Sequence, residues 1–220
     1  MRIKILIGIA ALLLLAAGAS LLFPGSDPDD NQDEVVRKVH ELAAAENVDG
    51  LAEQARSKNQ RAAEMAVLAM GKVGKAARTH IERAMTDERP GVREKAATAF
   101  SQVAVRQEAD KLAQIAKTDK SANVRAAAIS GLRKMQAFQE MEAVLRAMED
   151  PDPIVRRRAS LAATKFAGVT VQYDPEGSPE QIRQGALRMR QYWEREKPGL
   201  IRYWNELLSA REQAGRPGQR

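Results

Sequence analysis

Three stretches of the chain can be laid over one another: DERPGVREKAATAFSQV from Asp87, DKSANVRAAAISGLRKM from Asp119 and DPDPIVRRRASLAATKF from Asp150. The aspartates stand 32 and 31 positions apart; Val92, Val124 and Val155 coincide, as do Arg93, Arg125 and Arg156. A period of this length marks a supersecondary unit that is copied along the chain. A fainter copy is expected at NQRAAEMAVLAMGKV, aligned on Arg61, which lies 32 positions before Arg93.

Within each copy the apolar residues return at helical spacing. Val92, Ala96, Ala99, Phe100 and Val103 share a face, matched by Val124, Ala128, Gly131, Leu132 and Met135 and by Val155, Ala159, Ala162, Ala163 and Phe166. That is the i, i+3/i+4, i+7 pattern of an amphipathic helix. A second helix precedes each turn, in KAARTHIERAMT, QEADKLAQIAKT and FQEMEAVLRAME. One hairpin of about 30 residues cannot bury its own apolar face, whereas stacked hairpins can. Composition agrees: 44% of residues are hydrophobic but only 4% aromatic, so alanine carries much of the apolar content, which suits close helices better than strands. The expected fold class is all-α, an α-solenoid with an N-terminal hydrophobic helix and a C-terminal helical cap.

The D-x-x-x-x-V-R-x-x-A blocks at Asp87, Asp119 and Asp150 resemble the HEAT-like repeat family, in the short bacterial form also seen in phycobilisome lyase-like proteins. The resemblance covers residues 59–166. It implies that Arg93, Arg125 and Arg156 flank the core and pair with the turn aspartates Asp87, Asp119 and Asp150 as a structural ladder. It implies also that the second helix of each hairpin lines a concave surface where partners dock. Outward positions there become more basic toward the C-terminus, giving Lys95, Arg133, Lys134, Arg157, Arg158 and Lys165 as candidate partner-binding residues; an ordinary solvated helix face is the competing reading.

The ends differ from the middle. MRIKILIGIAALLLLAAGASLLFPG has a cationic start and 19 uncharged residues from Ile5 to Phe23, about 28 Å as a helix, near the thickness of a bilayer core. A retained anchor over residues 5–23 is expected, with cleavage after Ala17-Gly18-Ala19 as the alternative. Either way the body lies outside the cytoplasm: at the cell membrane as a single-pass protein, or secreted or periplasmic. Residues 26–33 read as an acidic linker, 34–168 as the repeats, 169–214 as the cap and 215–220 as a disordered tail. The tyrosines and tryptophans, Tyr173, Tyr192, Trp193, Tyr203 and Trp204, all follow the last repeat. SPEQ from Ser178 reads as a capping box, and Pro198-Gly199 is expected to divide the cap into two helices.

Charge follows the same division. Residues 27–150 carry 20 basic and 21 acidic side chains, and residues 151–220 carry 13 and 8, so the basic excess belongs to the last third. With no cysteine in the chain, disulfides, thiol nucleophiles and thiolate metal sites are excluded. His40 and His80 lack a second ligand at metal spacing, and no phosphate loop, nucleophile elbow or paired carboxylates stand out. No enzyme, cofactor, metal or small-molecule substrate is expected. The reading is a membrane-tethered extracytoplasmic scaffold that binds another protein. The alternatives are lyase-like or chaperone activity on a chromophore-bearing protein, implied by the resemblance alone, and binding of nucleic acid (less expected) or an anionic polymer through the basic C-terminal part.

Overall fold

The computed structural model describes residues 28–214, all as helices, turns and short connections, with no strand among them. The chain divides into two units, Met1–Arg37 and Lys38–Arg220. The border falls inside α1 (Pro28–Ala44), so residues 28–33, read above as a linker, belong to a helix that opens on a proline. Proline suits that first position because its missing N–H would have no partner there.

After the end of α1, the described residues of the second unit form four hairpins and a long helix. The hairpins are α2 (Val48–Ala55) with α3 (Gln60–Val73), α4 (Arg78–Ala84) with α5 (Pro90–Val103), α6 (Asp110–Thr118) with α7 (Ala122–Lys134), and α8 (Met141–Ala147) with α9 (Pro153–Ala167). Short 3-10 turns at Lys75–Ala77, Arg106–Glu108 and Phe138–Glu140 lead into α4, α6 and α8. The second helices pack side by side in the order α3, α5, α7, α9, forming one layer, and α6 packs on α8 in the other. Helix starts are set locally: Asn59 Oδ1 accepts the Ala62 amide at 3.0 Å and Asp152 Oδ1 the Ile154 amide at 2.8 Å, with Pro90 and Pro153 at first helical positions. At the far end of α9 the chain leaves through Gly168 at φ 70°, a left-handed backbone that a Cβ would strain.

The three aligned faces are buried between the layers. Val92, Val124, Val155, Phe100, Leu132 and Phe166 are each fully inaccessible, and burying a side chain of that size contributes about 1.5–3 kcal/mol. The faces differ in where they carry their large side chains. Where α5 and α7 place Phe100 and Leu132, α9 places Ala163; where they place Val103 and Met135, α9 places Phe166.

The fainter copy has a different register from the one expected. α3 begins at Gln60 and α5 at Pro90, 30 positions on, and at that offset Ala62, Ala66, Ala69 and Met70 match Val92, Ala96, Ala99 and Phe100, all buried. The residue equivalent to Arg93 is therefore Ala63, not Arg61. At Gly71 the two helices come close, for a Cβ there would lie 2.9 Å from the Ala99 Cβ and 3.0 Å from its Cα.

The cap also departs from expectation. α10 (Pro179–Ala214) is a single helix of 36 residues with Pro198 inside it. Proline removes one backbone bond and crowds the preceding turn, so continuation needs support from outside the helix. Trp193 and Trp204 supply it. They stand eleven residues apart, three helical turns, on one face, and both are buried with Ala186 and Met189. Trp204 Nε1 donates to the Phe166 carbonyl at 2.8 Å, and its ring stacks on Phe138 with centroids 6.1 Å apart. The start of α10 is a capping box: the Ser178 amide donates to Gln181 Oε1 at 2.7 Å and Ser178 Oγ accepts the Gln181 amide at 3.3 Å.

The localisation inferred from the leader, membrane-spanning with an exported body or else secreted or periplasmic, is corrected. No helix among the described residues is long and apolar enough to cross a membrane. α10 has the length, but Arg183, Arg188, Arg190, Glu194, Arg195 and Lys197 are spread along it. The hydrophobic run 5–23, on which that inference rested, and the tail 215–220 lie outside the described residues.

Candidate functional site

The turns between paired helices hold the ladder. Arg93 reaches forward to the next turn, donating from Nε to Asp119 Oδ2 at 2.8 Å and from Nη2 to Oδ1 at 3.0 Å. Its Nη1 caps the carbonyls of Asp87 and Glu88, at 2.8 and 2.9 Å. Arg125 repeats this one unit on, with Asp150 at 2.8 and 2.7 Å and the carbonyl of Asp119 at 3.0 Å. The aspartates in turn accept amides two residues ahead: Arg89 on Asp87, Ser121 on Asp119 and Asp152 on Asp150. Arg156 has no further repeat, and donates instead to the Pro175 carbonyl at 2.7 Å while capping Asp150 and Pro151, both at 2.8 Å. The loop after α9 therefore substitutes for a missing turn, with Asp174 accepting the Glu176 amide as the turn aspartates do. Tyr173, on the same loop, donates to the Met148 carbonyl; burial pushes its phenol up to about 12 against the opposing pull of Arg156.

At the other end the ladder runs backwards. Ala63 offers no guanidinium, and Asp87 is held by Arg89 of its own turn at 2.8 and 2.9 Å. Arg89 then reaches back to the carbonyls of Ser57 and Ala55, at 2.6 and 2.9 Å. Sequence alignment gave no sign of Arg89, because the position is Ser121 and Asp152 in the next units. The Arg89 guanidinium, foremost, holds the Asp87 carboxyl below the ordinary aspartate range. Burial works to raise Asp119, but Arg93, the Ser121 amide and the charge of Arg125 together outweigh it and leave it lowered. A second charge cluster, unseen in the sequence, joins α4 to α6: Glu82 accepts Lys111 at 2.8 Å and Arg78 at 3.1 Å, and Arg78 also pairs with Glu108.

The candidate partner-binding residues separate into spent and unspent charges. Lys95 pairs with Glu94 at 2.8 Å, Arg157 pairs with Glu176, and the Lys165 ammonium lies 5.8 Å from the Trp204 ring centroid. Arg133 and Lys134 are exposed at the C-terminal end of α7, and neither side chain bonds to another described residue. Arg158 likewise makes no ion pair with a described residue, and it lines a groove.

That groove, about 310 Å³, crosses α7 between α5 and α9. Asn123, Ala126, Ala127 and Ser130 of α7 form its floor, Glu94 and Thr98 one bank, and Ile154 and Arg158 the other. It exists because α7 carries alanines where α5 and α9 carry Glu94-Lys95 and Arg157-Arg158. Of the six candidates, only Arg158 lines it; Asn123, Ser130 and Ile154 were not among the residues singled out from sequence. His80, half-buried, borders a separate small cleft with Arg56 and Arg83, and His40 is exposed.

The HEAT repeats family matches residues 48–133 and, overlapping, 109–182. Among solved structures the chain is similar to the complex of CpcE and CpcF of phycocyanin lyase from Nostoc sp. PCC7120, at 19% identity over 70% of this chain and 99% of that one, with a TM-score of 0.45. It is similar also to a designed armadillo repeat protein in complex with the peptide (KR)4, at 15% identity over 77% of this chain and 87% of that one, with a TM-score of 0.46. No curated protein matches the chain. The family match extends across residues 48–182, more than half of a chain of 220 residues, and the arginine–aspartate ladder lies within it; this chain belongs to the HEAT-repeat family.

Proposed function

We propose that the chain is a non-catalytic scaffold that holds a partner protein on the face of α5, α7 and α9. One observation carries the reading: a row of side-by-side helices whose outer positions are alanine in the middle and bulkier at both sides. Stacked repeats offer extended surfaces of this kind, which suit macromolecules. Small-molecule pockets, by contrast, enclose most of a ligand among apolar side chains. Two hollows of the surface, about 310 and 450 Å³, open to solvent and are lined largely by polar side chains. The arrangement of cations argues against a nucleic-acid track, because Lys95 and Arg157 are already neutralised by Glu94 and Glu176 and do not form a free basic stripe.

The test is a photo-crosslinking amino acid placed at Ala127 in the groove and, separately, at the exposed Lys117 of α6, each in the full chain in its native cells. The same protein is expected in the adduct at Ala127 and absent at Lys117. Adducts at Lys117 alone, or equal capture at both, would move the contact surface elsewhere.

A further inference from the structure

We propose that the segment received by the groove is acidic and apolar: a carboxylate seated at Arg158, with flanking hydrophobic side chains laid against Ile154 and Leu161. This rests on the scaffold reading and specifies its partner. The charge inventory leads to it first. Glu94, the only acid of the lining, is paired with Lys95 at 2.8 Å, whereas Arg158 makes no ion pair with a described residue. The groove therefore presents one uncompensated positive charge and no uncompensated negative one. A guanidinium is a forked donor suited to a carboxylate, and an exposed one keeps its hydrogen-bonding capacity for a partner.

Hydrogen-bonding capacity sorts in the same sense. Ser130 Oγ donates to the Ala126 carbonyl at 2.9 Å and Thr98 Oγ1 to the Glu94 carbonyl at 3.1 Å. Their protons are used within their own helices, so toward the groove both hydroxyls act as acceptors for N–H groups of an incoming chain. The Asn123 amide makes no hydrogen bond to a described residue and is a second donor for a carboxylate or carbonyl.

The apolar half of the recognition comes from α9. Ile154 and Leu161 are 46% and 49% exposed, among the few large hydrophobic side chains left open. They stand four before and three after Arg158, so all three occupy one stripe of the helix. At about 30 Å³ of liquid per water, the groove holds roughly ten waters; apolar side chains that displace them from beside Ile154, and that continue along the stripe of α9 onto Leu161, gain burial. A basic segment would meet Arg158 with like charge, and a purely acidic one would leave those two side chains in water.

The test uses the purified full chain and three short fluorescent peptides, alternating Glu and Leu, Lys and Leu, and Glu and Ser, followed by anisotropy at low and physiological salt. The Glu–Leu peptide is expected to bind most tightly. Arg158→Glu is expected to weaken it at least about tenfold, the loss of one charge-assisted hydrogen-bonded contact, and to reduce the salt dependence. Leu161→Ser should weaken it severalfold with the salt dependence retained. Both residues are exposed, and an unchanged thermal midpoint verifies folding. Preference for the Lys–Leu peptide, equal binding of all three, no binding of any, or tight binding indifferent to Arg158→Glu would each overturn the proposal. So would concentration-dependent dimerisation lost in Leu161→Ser, because a second copy would then fill the groove. A partner crosslinked at Ala127 without preference for Glu–Leu sinks only this assignment; absence of any adduct there sinks the scaffold reading as well.

Discussion

Arg125 and Arg157 are both paired arginines, yet their surroundings give the pairs different weights. The side chains of Arg125 and Asp150 are 13% and 9% exposed, and the guanidinium also caps two turn carbonyls. Those of Arg157 and Glu176 are 58% and 62% exposed. Removing one member of a shielded pair strands the other, at about 3–5 kcal/mol, whereas an exposed pair contributes about 0–1 kcal/mol. Asp150→Ala is accordingly expected to lower the denaturation free energy by about 3 kcal/mol, and Glu176→Ala by less than about 1 kcal/mol, as read from urea midpoints. The acid limb of stability follows from the same contacts. Asp87 and Asp119 titrate below their ordinary value of about 3.9, so their contribution is complete above that pH and is lost as pH falls through the folded-state values. Glu82 and Glu108, lowered chiefly by Lys111 and Arg78 respectively, act in the same direction. Glu140 acts oppositely: burial and then Asp110 raise it, so its contribution is present at low pH and fades as pH rises. Urea midpoints measured from pH 7 downward should fall steeply below about pH 4, and Asp119→Asn should flatten that fall.

Helices α3 and α10 show where local rules yield to packing. The spacing of Val92, Val124 and Val155 placed α5, α7 and α9 because one face of each helix repeats the same apolar positions. The stretch NQRAAEMAVLAMGKV coincides with α3 and its cap, but its register against α5 shifts by two residues, because Arg61 matches the repeat arginine in letter while Ala62, Ala66 and Met70 define the buried face. Pro198-Gly199 reads locally as a stop, but Trp193 and Trp204 anchor both halves of α10 on α8 and α9, a contact between distant parts of the chain that no local pattern encodes. The groove was hidden for the same reason: Ala126 and Ala127 become a floor only beside Glu94 and Arg158. Two substitutions probe this scale. Gly71→Ala gains about 1 kcal/mol of helix propensity but drives a methyl against the Ala99 backbone, and a net loss of about 1–2 kcal/mol is expected in thermal or urea unfolding. Pro198→Ala restores a helix bond at an exposed position and should stabilise by about 1–3 kcal/mol, visible as a higher thermal midpoint.

At the scale of the whole molecule, each hairpin is finished by its neighbour, and the end needs a different kind of neighbour. The Tyr173–Ser178 stretch supplies a carbonyl to Arg156, and α10 covers Phe138 and Phe166 with Trp204. Removing residues 179–220 should expose that surface. Light scattering is expected to show self-association, and unfolding to begin at lower urea, with helicity of the preceding hairpins largely retained, because such stacks are stabilised between nearest neighbours.

The forward reach of Arg93 and Arg125 gives the stack a direction. The unit from Asp119 to Glu149 arrives with a carboxylate for the arginine before it and a guanidinium for the carboxylate after it. A duplicate of residues 119–149 spliced in ahead of Asp150 would therefore meet both demands at its seams. The stack can grow by insertion in its interior, and the ladder ends where Pro175 answers Arg156 with a carbonyl in place of an acid.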